Sequence, residues 1–293
     1  MHRKRNGTRI SENCGKFKKW QGFLWILPSF FGVLVFYLLP YADVVRRSFL
    51  GAVDNRFVGL VNYRIILDNT AFLLAVKNTV RFTLICIPVL IVLALVCAVV
   101  LYQSKYGGII KSAFLMPMAL PAVSVALVWR LLFHSQGLLN NWLEHLGLLG
   151  KDWMNTPSAF WILVVSYIWK NLGYDIVLWM AGLAGISENI YEAARVDGAG
   201  EWKCFLNITL LNLKPSFYTI TVLSFLNSFK VFREAYLVAG DYPHESIYMM
   251  QHLFNNWFRN FSFDKMAAAA VIESLILLGL ILLLQKAWDS GVE

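Results

Sequence analysis

The feature that most constrains this chain is the stretch from Phe82 to Tyr102, in which 21 consecutive residues carry no charge. A helix of that length, rising about 1.5 Å per residue, reaches across the roughly 30 Å hydrocarbon core of a bilayer. Lipid offers no hydrogen-bond partners, so a spanning segment has to pair its backbone groups within itself, as a helix does. The stretch therefore predicts a membrane-spanning helix.

Five more apolar stretches have comparable length, and the composition supports the same environment. Hydrophobic residues make up 58% of the chain and charged residues 15%, and the mean hydropathy is +0.57. Soluble domains carry about 25% charged residues. The sequence thus predicts an all-α, polytopic integral membrane protein with six transmembrane helices. Besides Phe82 to Tyr102, the predicted spans are residues 22–39, 112–133, 158–183, 213–232 and 266–284.

The first predicted span follows a basic segment, which is also how a cleaved signal peptide begins. This apolar run is longer than the usual core of a signal peptide and lacks a small-x-small cleavage site. We therefore interpret it as an uncleaved helix that ends near Pro40. The third span contains Pro117 and Pro121, which membrane helices tolerate where neighbours satisfy the freed carbonyls, and a kink is predicted there.

The distribution of positive charge predicts the orientation. The formal net charge is +8, and seven basic residues lie in the first 19 positions. Lys and Arg near span ends are retained in the cytosol, so six spans place both termini there, and nucleic-acid binding is disfavoured. The predicted organisation is a basic cytosolic tail at 1–19, a first helix and external loop at 20–76, a five-helix core at 77–288 and a tail at 289–293.

Between the fourth and fifth predicted spans lies the stretch from Tyr191 to Pro215, which we call the polar island. Glu192 and the two alanines after it favour a helix with acid near its N terminus, where the helix dipole stabilises negative charge. Asp197 and Gly198 end that helix, because Gly adopts positive φ readily and Asp tolerates it. With a second short helix over 201–207, the island forms a cytosolic knob; an ordinary helical hairpin with a simple turn is the alternative.

A pattern in the second half of the chain resembles a known family. It consists of Gly173, Tyr174, Gly182, Gly185, Ile186, Tyr191, Glu192, Ala193, Ala194, Asp197, Gly198, Ala199, Ile208, Thr209, Leu210 and Pro215. These residues are similar to the EAA loop and its flanks in carbohydrate-type, six-span permeases of binding-protein-dependent ABC importers, and the resemblance runs from about residue 20 to the end. One departure is Leu211, where the family usually has proline, and a looser bend is expected there.

This resemblance implies the type I importer fold, with the EAA loop at about residues 186–208, in a bacterial plasma membrane. It implies three partners: a second homologous permease, a dimer of a cytosolic ATPase, and an extracellular or periplasmic solute-binding protein. Glu192 would contact the ATPase, Ala193 and Ala194 would allow close approach, and Gly198 would be the hinge. The full coupling set is Tyr191, Glu192, Ala193, Ala194, Asp197, Gly198 and Ala199.

The sequence contains no phosphate-binding loop and no zinc-protease motif. Gly15-Lys16 and Gly150-Lys151 lack the rest of the G-x-x-x-x-G-K-[ST] pattern, and no histidine follows His244-Glu245 at the helical offset. We therefore expect no catalytic residue, metal site or cofactor in this chain, with ATP and Mg bound by the partner ATPase. A membrane enzyme is disfavoured, and a secondary transporter driven by an ion gradient is the less favoured alternative.

Polar residues inside predicted spans are candidates for the substrate pathway, since burying them in lipid is costly unless they face a cavity or a partner. In the fourth span, Tyr167, Asn171 and Tyr174 share one helical stripe, with Lys170 and Asp175 beside it. Aromatic rings and amides suit sugars, whose faces are apolar and whose edges form hydrogen bonds. The alternative is interhelical packing, with Lys170 compensating the charge of Asp175.

Two polar residues in the last two spans, Asn227 and Glu273, give weaker indications of function. Asn227 is a weaker pathway candidate, and Glu273 is interpreted as structural, paired with a cation of a neighbouring helix or of the partner permease. Proton coupling through Glu273 is the alternative. The cargo is open between a sugar and glycerol phosphate or another small solute. An anionic cargo needs fixed positive charge, for which Lys170 and Arg130 are the available sources.

Overall fold

A computed structural model describes residues 25–52, 54–104 and 107–289, and helices dominate these residues. The predicted tail at 1–19 and residues 290–293 of the predicted C-terminal tail lie outside the described residues. In chain order, helices α1 to α13 are Trp25–Ser48, Val61–Leu67, Thr70–Tyr102, Gly107–Ala119, Ala122–Phe133, Leu138–His145, Ser158–Ala184, Glu188–Val196, Glu201–Cys204, Lys214–Ser228, Phe232–Ala239, Met250–Arg259 and Phe263–Asp289.

The helices agree with an all-α membrane protein. Among the described residues, four stretches are long and apolar enough to cross a membrane, namely Trp25–Ser48, Thr70–Tyr102, Ala122–His145 and Phe263–Lys286. Helix α7 coincides with the predicted fourth span and has 27 residues, but Lys170 and Asp175 make it less apolar. Helix α10 has 15 residues and continues through a 3₁₀ turn at Phe229–Val231 into α11.

Helices α1 and α3 extend furthest beyond their predicted bounds. The predicted end of α1 near Pro40 is wrong, because α1 continues to Ser48. A π-helical turn at Leu34–Leu38 precedes Pro40, and this wider turn accommodates a residue that lacks an N–H and crowds the preceding carbonyls. Helix α3 begins at Thr70 rather than at 82, because Asn69 caps it by accepting the N–H of Phe72 at 3.0 Å.

The third predicted span is two helices rather than one. Helix α4 ends at Ala119 and α5 begins at Ala122, with Pro121 in an extended conformation between them. Proline has no N–H to bond back into α4, and it disfavours a helical conformation for the residue before it. The predicted kink therefore lies at Pro121, whereas Pro117 stays inside α4. The following stretch, predicted as a loop, contains the short helix α6.

Contacts divide the described part of the chain into two compact units, residues 25–66 with 262–274 and residues 67–261 with 275–289. In the first unit, the hydroxyls of Tyr41 and Ser274 form a hydrogen bond. In the same unit, the amide of Asn62 donates to the carbonyls of Ser48 and Leu50 at 3.0 and 2.8 Å. The buried Asn62 thus connects α2 to the end of α1.

Helix α7 is the centre of the second unit and packs against α3, α4 and α10. Tyr167 meets Phe82 of α3 edge-on, with ring centroids 5.4 Å apart, and Trp179 Nε1 donates to the carbonyl of Ile91 at 3.2 Å. The closest approach is at Gly173, where an added Cβ would lie 2.0 Å from the carbonyl oxygen of Phe114 in α4. Two helix backbones therefore touch where one residue has no side chain.

We expect Gly173→Ala to destabilise the protein strongly. The methyl group meets a backbone carbonyl rather than a flexible side chain, so α4 has to move away from α7, at a cost of about 1–3 kcal/mol or more. Thermal unfolding in detergent measures this effect. Gly279→Ala is the matched control, because no atom lies within 4 Å of its Cβ position. Equal stability of the two variants would contradict the close contact.

Candidate functional site

Helix α8 ends in a hydrogen-bonded turn that depends on Gly198. The N–H of Ala199 donates to the carbonyl of Ala194 at 2.9 Å, and the N–H of Gly198 donates to that of Arg195 at 3.0 Å. This is the Schellman pattern. Gly198 has a φ of +79°, a conformation that costs residues with a Cβ about 1–2 kcal/mol. No atom lies within 4 Å of its Cβ position, so the φ angle alone requires glycine.

Side chains also hold the polar island together. The hydroxyl groups of Tyr191 and Thr209 are 2.9 Å apart, which connects α8 to the π-helical turn Phe205–Thr209 after α9. Arg195 and Glu201 form an ion pair at 3.2 Å between the two short helices. Both charged side chains are more than half exposed, so this pair contributes little free energy. The buried Thr209 and the backbone turn are therefore the main constraints on the knob.

The knob presents a mixed surface to solvent. Of the predicted coupling residues, Glu192, Ala193, Asp197 and Gly198 are exposed, while Tyr191, Ala194 and Ala199 are half-buried. Beside them project Val196 and Trp202, whose side chains are 87% and 72% exposed. These two apolar side chains on a short polar segment are therefore accessible to a partner. Sequence reasoning missed these two, although large apolar residues in a polar island are a usable signal.

The path from the knob into α10 remains helical at Leu211, the departure from the family pattern. The N–H of Leu213 donates to the carbonyl of Thr209 at 3.0 Å, and the N–H of Phe217 donates to that of Leu213 at 2.8 Å. Pro215 stands at the beginning of α10, where its missing N–H costs nothing. The looser bend expected at Leu211 is therefore not observed.

Two predicted pathway residues on α7 bind the same residue of α10. Tyr167 donates its hydroxyl to the carbonyl of Ser224 at 2.8 Å, and Ser224 Oγ donates to Asp175 Oδ2 at 2.8 Å. All three residues are almost completely buried. In this conformation, Tyr167 and Asp175 therefore hold α7 against α10 and do not line open space.

Lys170 forms its ion pair with Glu234 of α11. The alternative in which Lys170 compensates Asp175 is wrong, because five residues at about 100° each place the two side chains roughly 140° apart around the helix. The Glu234 side chain is 8% exposed and that of Lys170 is 20% exposed. Sequence reasoning missed Glu234, since it follows residue 232, the predicted end of the fifth span.

The other predicted pathway residues are partly accessible. Asn171, Tyr174 and Asn227 are half-buried. Asn171 Nδ2 donates to the carbonyl of Tyr167 one turn earlier at 2.8 Å, and Asn227 Oδ1 accepts from Lys230 Nζ at 2.7 Å. In the first unit, Glu273 is half-buried and belongs to none of the ion pairs of the described residues. Its pairing with a partner subunit stays a prediction.

The sequence has relatives among membrane transport proteins. Residues 90–292 match the profile of a family described as "Binding-protein-dependent transport system inner membrane component". The trehalose/maltose transport system permease protein MalF of Thermococcus litoralis is 34% identical over 229 residues, which cover 76% of this chain and 78% of MalF. The arabinooligosaccharides transport system permease protein AraP of Bacillus subtilis is 33% identical over 228 residues, covering 75% and 72%.

The fold also has a counterpart among solved structures. A chain from the crystal structure of a bacterial ABC transporter involved in import of the acidic polysaccharide alginate superposes with a TM-score of 0.78. The two chains are 23% identical, and the match covers 96% of this chain and 99% of the other. Because so much of both chains superposes, the helix arrangement described above is that of an ABC importer transmembrane domain.

We expect Glu234→Gln to lower the stability of the protein, because it leaves the ammonium group of Lys170 without a carboxylate. Removing one partner of a buried ion pair costs about 3–5 kcal/mol, and the partial exposure of Lys170 favours the lower end. Thermal unfolding in detergent measures the loss. The double variant Lys170→Met with Glu234→Gln is the matched control and should recover most of the stability. A double variant less stable than Glu234→Gln alone would contradict this account.

Proposed function

The chain belongs to the family of binding-protein-dependent transport system inner membrane components, and from this premise we propose that it forms half of the translocation pathway of an ATP-driven sugar importer. The family consists of permease subunits of ABC importers, which are transport components. In this proposal the chain performs no chemistry of its own. ATP and Mg are bound by a cytosolic ATPase dimer, and a second, homologous permease completes the pathway.

The observation that carries the proposal is the geometry of the knob. Two short helices meet at Gly198, whose backbone turn is closed by hydrogen bonds, and the knob exposes Glu192, Ala193, Val196 and Trp202. A rigid projection with exposed apolar and acidic groups fits a cleft of a soluble partner. In this proposal the partner is the ATPase, and the polar island and both termini lie in the cytosol of a bacterial cell.

A solute-binding protein on the external side is the third partner in this proposal. An alginate ABC transporter has been crystallised in complex with an alginate pentasaccharide-bound periplasmic protein, and its chain superposes on this one with a TM-score of 0.76 at 22% identity. The shared fold supports the same type of partner here. The external protein would deliver the cargo to the end of α7 opposite the polar island.

The names of the two relatives described above and the charge balance of α7 favour a neutral sugar as cargo. The relatives named above transport trehalose or maltose and arabinooligosaccharides. Glycerol phosphate and other anions are the alternative, but the positive charge of Lys170 is already compensated by Glu234. An anionic cargo would therefore find no free positive charge at Lys170, whereas a neutral sugar needs only the amide and hydroxyl groups of Asn171, Tyr174 and Asn227.

Uptake into reconstituted vesicles tests the proposed function. Vesicles that contain this chain, the second permease and the ATPase should accumulate maltose or trehalose only with ATP inside and the solute-binding protein outside. Dissipating ion gradients with ionophores should leave this uptake unchanged. Sugar uptake that needs an ion gradient and proceeds without the ATPase would refute the proposal in favour of a secondary transporter.

We expect Gly198→Val to reduce ATP-driven uptake several-fold while the chain still inserts and assembles. Valine at positive φ costs about 1–2 kcal/mol or more, so the turn between α8 and α9 opens and the knob loses its shape. Gly200→Val is the matched control, because Gly200 has a φ of −72° and equally open space around its Cβ position. Uptake rate per ATP hydrolysed is the measurement, and equal coupling in both variants would contradict the role of the turn.

A further inference from the structure

A cavity of about 390 Å³ lies beside the first turn of α7, at the end of this helix opposite the polar island. Sites for small molecules typically measure about 300–1,000 Å³, so the cavity is large enough for a small ligand. It is lined by the C-terminal end of α5, the segment before α7 and the end of α11, with Arg130, His134, Asp152, Met154, Asn155, Val238 and Ala239.

The polar groups of this cavity include both donors and acceptors. The guanidinium of Arg130 has five N–H groups, and one of them donates to the carbonyl of Val238 at 3.2 Å. His134 Nδ1 accepts the N–H of Gln136 at 3.3 Å, which assigns the hydrogen of a neutral ring to Nε2 as another donor. Asn155 donates to Asp152 Oδ2 at 2.7 Å, and its own Oδ1 has no partner among the described residues.

The charges of the cavity balance, which favours a neutral ligand. Arg130 contributes one positive charge and Asp152 one negative charge. The hydrogen bond from Asn155 holds the pKa of Asp152 below its usual range, so its carboxylate stays ionised. Met154 and Val238 add an apolar wall to this polar rim. A sugar ring, which has hydroxyl groups around apolar faces, is complementary to such a lining. An anion would add a negative charge that the lining does not balance.

The walls of the cavity are fixed before any ligand arrives. Asn140 of α6 is buried, and its Nδ2 donates to the carbonyls of Ser135 and Lys151 at 2.8 Å each. Its Oδ1 accepts the indole N–H of Trp153 at 2.7 Å. Because Asn140 bonds the segments next to both His134 and Asp152, it sets the distance between the two polar walls.

The cavity also lies close to the predicted substrate pathway. Val238 follows Glu234 by one turn of α11, and Glu234 holds Lys170 of α7. A void of about 10 Å³ is lined by Met154, Val238 and Glu234, among other residues. It has room for about one water molecule. Met154 and Val238 line both the cavity and this void, so the cavity lies about one turn of α11 from the residue that pairs with Lys170.

We propose that this cavity is an outer saccharide subsite, which binds one sugar ring of a neutral carbohydrate before the pathway opens. Arg130 and the Nε2–H of His134 donate to sugar hydroxyls, Asp152 and Asn155 accept from them, and Met154 and Val238 contact the apolar face of the ring. The inference rests on the proposed function for the cargo class and the orientation. It adds a binding site on this subunit.

A cysteine reporter in the complete transporter tests the subsite. Asn155→Cys places a thiol on the cavity wall, and a membrane-impermeant maleimide added outside should label it in reconstituted vesicles. Maltose, trehalose and lactose are the probe ligands. A sugar that the vesicles transport should slow labelling about tenfold at ten times its dissociation constant, since only empty sites react. Ala239→Cys, on another wall of the cavity, is a second reporter that leaves every polar group in place.

Two controls make the result specific. Leu149→Cys is 95% exposed and does not line the cavity, so the sugar should not protect it. Adding Arg130→Gln to the reporter should weaken protection by about tenfold or more, the usual effect of removing a charged hydrogen-bond donor. Vesicles that still accumulate the sugar with ATP, while it protects neither reporter, would overturn the subsite and leave the proposed function intact. Protection by the solute-binding protein without sugar would overturn it in favour of a protein contact.

Discussion

Helix α7 crosses the hydrophobic part of this protein with a lysine, an aspartate and a tyrosine in its middle, and the surrounding structure depends on how these groups are satisfied. An isolated charge in an apolar medium is so unfavourable that these side chains of α7 need polar partners on the neighbouring helices. Ser224 of α10 and Glu234 of α11 supply them. The order of helices around α7 is therefore set as much by polar pairing as by apolar packing.

Small residues determine how near those partners come. Gly173 lets the backbone of α4 touch α7, and Gly182 lets α10 approach so closely that a Cβ would lie 2.2 Å from Ser216 Oγ. Association of helices in lipid gains little from the hydrophobic effect, because lipid tails are as apolar as leucine. Close backbone approach and hydrogen bonds take its place, and α7 uses both. Gly173 and Gly182 of the family pattern thus have a packing reason that is visible in this chain.

Sequence reasoning predicted the helical membrane class, the knob and its turn, because long uncharged runs and a helix-Asp-Gly-helix pattern are local signals. It missed the continuation of α1 through Pro40, since the π turn that permits it leaves no mark in the sequence. It also ended the fifth span at residue 232, before Glu234, and its alternative for Lys170 named Asp175 as the compensating carboxylate. The contact between Lys170 and Glu234 joins residues 64 positions apart, and only the folded chain shows which helix face meets which. The roles of the coupling and pathway residues remain predictions.

The unbroken length of α7 has a mechanical consequence. Its 27 residues join the polar island at one end to the polar cavity at the other, without a proline inside the helix. At about 1.5 Å per residue the helix is roughly 40 Å long, so a tilt of about 10° about its island end displaces the other end by roughly 7 Å. A small rotation at the island end of a rigid α7 is thus amplified into a displacement about as wide as a sugar ring at the cavity end.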